Sequence, residues 1–179
     1  GQGSVVIGAV MLLLFYLSEI LNAVNGGFLF SSYDPESFNS IWILARTLGL
    51  AVLWIVSDWM VCTIMGGKGR LREIAVVTCY SLLPIIIEKF ISLILTNVLL
   101  PSETGFLAIL DTAAVIYFVL LMICGLLKIH DFSFGRMVST SLLSILGVGI
   151  IFFLLIMIAM LFQQTYGFIA TVISELLTV

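Results

Sequence analysis

The chain has 179 residues, of which 62% are hydrophobic and 9% charged, with a formal net charge of −3 and a mean hydropathy of +1.30. Soluble domains carry about 25% charged residues, so a chain this apolar cannot cover a water-facing surface and takes lipid as its solvent. The acidic balance argues against nucleic acid as a partner and makes membrane lipids the first partner to expect.

Five apolar runs follow in chain order, about 5–24, 41–65, 74–99, 106–127 and 137–162. Each is long enough to cross a hydrocarbon core of about 30 Å at about 1.5 Å per residue. Strand alternation is absent, which favours helices over a barrel. The expected fold class is therefore all-α: a polytopic membrane bundle of about five transmembrane helices over 1–162. The remainder, 163–179, is expected to form a separate amphipathic helix. Tyr166, Phe168, Ile169, Val172, Ile173, Leu176 and Leu177 recur there at helical spacing, as in a helix lying on lipid or docked on a partner.

The connectors set orientation. Gly66–Glu73 and Lys128–Arg136 hold five of the seven Lys and Arg residues. The opposite connectors hold Asp34, Glu36 and Glu103 with no Lys or Arg. The positive-inside rule then places the N-terminus in the cytoplasm and the C-terminus outside. The chain opens Gly1-Gln2-Gly3-Ser4 without an initiator Met, and an upstream cytoplasmic segment is expected. The outer connector is both aromatic and acidic, with Phe28, Phe30, Tyr33, Asp34, Glu36 and Phe38, a composition suited to an extracellular partner.

Ionisable residues inside spans carry the most information. A charge near the bilayer centre costs at least about 2.5–3.5 kcal/mol, so such residues pair or face a polar cavity. Glu19, Arg46 and Asp111 fall at one depth, roughly 7–10 Å below the outer surface by helical rise. The planar guanidinium of Arg46 is expected to bridge both carboxylates. Glu88 and Lys89 lie nearer the midplane and point about 100° apart on a helix. Pro84 frees the Tyr80 carbonyl and is expected to kink the third span. That arrangement reads as a polar anchor between helices, as the wall of a transport path, or, for Lys89, as snorkelling to the surface. Asp58 is expected to accept from Tyr80 or from a basic connector residue.

Other residues are assigned blander roles. Lys68, Arg70 and Arg72 suit anionic headgroups, at about 1 kcal/mol each, or a cytoplasmic protein. The Gly66-Gly67-Lys68-Gly69-Arg70 run lacks the Gly-Lys-Ser/Thr ending of a phosphate-binding loop. Thr140, Ser144 and Gly147 share one face of the fifth span, where small side chains let helices approach closely. Cys62, Cys79 and Cys124 match no metal or redox spacing and are expected to be small buried hydrophobes. His130 is the only histidine. It is placed in a connector, solvated, with no metal site, no cofactor and no serine to activate; no enzymatic activity is expected.

From Gly27 onward the chain resembles bacterial members of the YIP (Ypt/Rab-interacting protein) domain family. The resembling elements are Gly27-Phe28-Leu29-Phe30, Trp54 and Trp59, Gly66-Gly67-Lys68-Gly69-Arg70, Tyr80-Ser81-Leu82-Leu83-Pro84 and Gln163-Gln164. The resemblance implies a five-span, N-in and C-out protein of a bacterial plasma membrane. Bacterial relatives of this kind are often encoded beside carbohydrate ABC transporter genes. That implies a non-catalytic accessory subunit whose partners are ABC transporter permeases. A stand-alone solute or ion transporter and a lipid-organising membrane protein are the rival readings.

Overall fold

The computed structural model describes residues 3–27 and 38–177. Most of the aromatic, acidic connector expected to face outward, residues 28–37, lies outside the described residues. Among the described residues six α-helices follow in order, α1 (Val5–Asn25), α2 (Ser40–Ile64), α3 (Leu71–Ser81), α4 (Leu83–Leu95), α5 (Thr104–His130) and α6 (Phe134–Leu177), with a short 3-10 turn at Pro101–Glu103 before α5. With α3 and α4 counted as one broken span, five helical segments are long and apolar enough to cross a membrane. No strand occurs among the described residues.

Helix ends follow local chemistry. The Asn39 side chain accepts from the Trp42 amide at 3.0 Å and starts α2. The Glu73 carboxylate accepts from the Arg70 amide at 2.9 Å and starts α3, so the third span begins a few residues earlier than its apolar run. Asp131 ends α5 in the left-handed region at φ 59, which a short polar side chain tolerates.

The third span, where Pro84 is expected to cause a kink, is interrupted two residues before the proline. Leu82 separates α3 from α4, and Pro84 stands in the first turn of α4. There its missing N–H leaves no donor unused. This broken span is the most buried of the five. It packs on α1, α2 and α5, while α6 packs chiefly along α2. The core sits toward the end carrying the Gly66–Glu73 connector, where Ile74, Met122, Leu126 and Met137 are buried together. Trp54, Val77 and Phe118 close around them.

The expected boundary at residue 162 does not appear. α6 runs unbroken for 44 residues, from Phe134 to Leu177. Gln163, Gln164 and Thr165 are polar but all compatible with helix, and the segment contains no proline. Residues 163–177 therefore continue the fifth span. From Phe152 to Glu175 every residue is exposed. In its first half, by contrast, Met137, Thr140 and Ser144 are fully buried.

Candidate functional site

Polar side chains gather in two places. The first lies toward the end opposite the basic connectors. Arg46 of α2 donates to Glu19 Oε2 of α1 at 2.6 Å, and Lys89 Nζ of α4 stands 3.5 Å from Glu19 Oε1. Glu19 is thus shared by two cations from two neighbouring helices. The expected bridge from Arg46 to Asp111 is not formed: Asp111 is exposed on α5, and no ion pair joins the two among the described residues. A common depth read from sequence does not fix rotation about the helix axis, and Asp111 lies on an exposed face of α5. The Asn22 side chain ties α1 to α4 beside this cluster, donating to the Lys89 carbonyl at 2.8 Å and the Ser18 carbonyl at 2.9 Å. Glu88, one residue from Lys89, is buried on another face of α4.

Glu19, Arg46 and Lys89 rim a cavity of about 800 Å³ that reaches all five spans. Its walls are largely apolar, including Leu12, Phe15, Phe118 and Met122, with Trp54, Thr78 and Ser141 among them. Trp54 Nε1, Thr78 Oγ1 and Ser141 Oγ are buried without a hydrogen-bond partner among the described residues. Polar groups in such a cavity are normally satisfied by water or by a bound polar group.

The second cluster lies at the basic-connector end. Ser57 Oγ donates to the Ser144 carbonyl at 2.7 Å, and Ser144 Oγ donates to Asp58 Oδ1 at 2.9 Å. These bonds pin α6 to α2. Gly147 meets α2 at Ser57, where any side chain would collide with the Ser57 hydroxyl. Thr140 is buried on the same face. The small-residue face of α6 therefore serves packing within this chain.

Asp58 accepts neither from Tyr80 nor from a basic connector residue among the described contacts. Its partners are Ser144 and the Cys62 thiol, at 3.7 Å, with His130 Nε2 4.0 Å from Oδ2. His130 is not solvated: it is 2% exposed. The reason is that α5 continues through Lys128 and Ile129 to His130, beyond the point where apolar sequence stops. The imidazole then turns back under the bundle and stacks on Phe132 at 5.5 Å between ring centroids. Gly67 and Gly69 pass so close to the ring that a Cβ at either would collide with it, and the Gly69 amide donates to His130 Nδ1 at 3.3 Å. Gly67 and Gly69 are thereby explained by the approach of backbone to an imidazole, and Gly66 by its left-handed backbone at φ 77.

The basic residues divide. Lys68 pairs with Asp131 at 3.0 Å, both well exposed. Arg70 and Arg72 are exposed. Arg136 donates to the Met65 carbonyl and covers the Phe132 ring at 4.5 Å. Cys62 and Cys79 are buried as expected, whereas Cys124 is exposed on α5. The sequence reading missed His130 as an interior residue and Lys89 as the second cation on Glu19.

Five helical segments long and apolar enough to cross a membrane, with no strand among the described residues, define a multi-pass helical membrane protein. The Yip1 domain family model matches residues 2–173, and the chain belongs to that family. No curated protein and no solved structure matches the chain.

Proposed function

We propose that this protein is a non-catalytic accessory subunit that packs against a larger membrane assembly, by family resemblance the permeases of a carbohydrate ABC importer in a bacterial plasma membrane. The supporting observation is the second half of α6. A helix of 44 residues is about 66 Å long, against a hydrocarbon core of about 30 Å. Lipid can cover only part of it. Phe162, Tyr166, Phe168 and Ile173 are exposed beyond that reach, and large apolar surfaces left in water mark interaction sites. In this reading the basic connectors face the cytoplasm and α6 projects outward to its partner.

Affinity purification from membranes in mild detergent tests the proposal. Stoichiometric recovery of transporter permeases, lost on truncation after Phe162, is the expected result. Recovery of the chain as a homo-oligomer that moves solute in liposomes overturns it. That outcome belongs to the second reading, a small transporter, which the cavity rimmed by Glu19, Arg46 and Lys89 favours.

A further inference from the structure

We infer that Asp58, Cys62 and His130 form a binding site for a zinc-type divalent cation at the basic-connector end of the bundle. Asp58 and Cys62 are four apart on α2, so both side chains leave the same face of the helix. His130 enters from the last turn of α5. One carboxylate oxygen, the thiol sulfur and one imidazole nitrogen all lie within 4.8 Å of one another, and all three residues are buried. Asp58 Oδ2 and His130 Nε2 are buried without a hydrogen-bond partner although they face each other at 4.0 Å. Two polar atoms aimed at one point, too far apart to bond, are what a missing third body between them would leave.

The donor set selects the ion. Sulfur and imidazole nitrogen exclude magnesium and calcium, which take oxygen ligands. One each of S, N and O suits zinc and its borderline neighbours, at bond lengths of about 2.0–2.3 Å. A triangle of donors no wider than 4.8 Å on a side has its centre at most about 2.8 Å from each corner. Ligation therefore needs inward movements of at most about 0.8 Å.

Charge balance favours the same class. Asp58 carries −1, and Cys62 acquires −1 when its thiol proton is released on binding. A divalent cation with neutral His130 then makes a site of zero net charge, the condition that burial demands. Three protein ligands leave a fourth position for water.

Loading has a structural consequence. Because the Gly69 amide donates to Nδ1, the ring proton of the metal-free form sits on Nε2. Ligation through Nε2 moves that proton to Nδ1, and the Gly69 amide must turn away. Metal occupancy is thus coupled to the Gly66–Arg70 connector.

Cobalt(II) titration of the full chain in detergent, with thiols kept reduced, tests the site. The expected result is one equivalent bound, with visible bands of a tetrahedral ion and a near-ultraviolet thiolate-to-cobalt band, both displaced by zinc. The thiolate band persists when Cys79 and Cys124 are replaced by alanine and disappears in Cys62→Ser. His130→Gln and Asp58→Asn weaken cobalt binding by more than about 100-fold, since loss of an outer partner alone costs about 10–100-fold. Absence of the thiolate band in the unaltered chain overturns the proposal, whatever the variants do. So does equal cobalt binding by the Cys62→Ser chain.

Discussion

The two polar clusters solve one problem in opposite ways. At the triad of Glu19, Arg46 and Lys89, Glu19 holds two cations, so each contact has a substitute, and the Arg46 side chain is 55% exposed. At the connector end, Asp58, Ser57 and Ser144 are 0–1% exposed, and the two bonds that join α2 to α6, Ser57 to the Ser144 carbonyl and Ser144 to Asp58, both pass through Ser144. Redundancy suits a region where one carboxylate on α1 meets cations from both α2 and α4. Uniqueness suits one where backbones of α2 and α6 touch. Single substitutions should therefore be absorbed at the triad and felt at the α2–α6 seam.

The largest effect is expected from Gly147→Leu. A leucine there drives α6 away from Ser57, at a cost of about 3 kcal/mol, and the fraction of monodisperse protein surviving a thermal ramp in detergent should collapse. Next comes the double change Arg46→Met with Lys89→Met. It leaves Glu19 without a cation inside a span, at about 2–3 kcal/mol. A double variant as stable as either single one breaks the redundancy argument. Ser144→Ala removes the hydrogen bond to Asp58 and should lower stability by about 1–2 kcal/mol, read as a lower melting midpoint. Arg46→Met alone should be the mildest, under about 1 kcal/mol, because Lys89 remains on Glu19. A severe loss from that single change shows that the triad has no substitute contact.

Several elements were legible in the residues because hydropathy and backbone chemistry act locally. The five spans follow from apolar length, and the break at Leu82 follows from the ring of Pro84. The pairings were less legible because composition fixes depth along the membrane normal but not rotation about each helix. Arg46 and Asp111 were expected at one depth, yet no ion pair joins them among the described residues. Lys89 reaches Glu19 and its neighbour Glu88 does not, although both are equally polar in sequence. His130 was assigned to a connector because apolar sequence ends before it, yet a helix can outlast its apolar run when its last turn folds under a glycine strap. Gln163 and Gln164 misled in the opposite sense, since polarity there interrupts lipid contact without interrupting helix. The two cysteines that are buried belong to faces packed on other helices; Cys124 points off the bundle for the same rotational reason.

The unbroken length of α6 has a mechanical corollary. A continuous helix about 66 Å long, fastened near one end through Ser144 and Gly147, behaves as a lever with its fulcrum beside Asp58. The arm from Ser144 to Leu177 is about 50 Å, so a tilt of about 5° displaces the far tip by about 4 Å. Whatever grips that tip can thereby shift the footing on which Asp58 and its neighbours stand, and a small rearrangement at the footing is magnified at the tip.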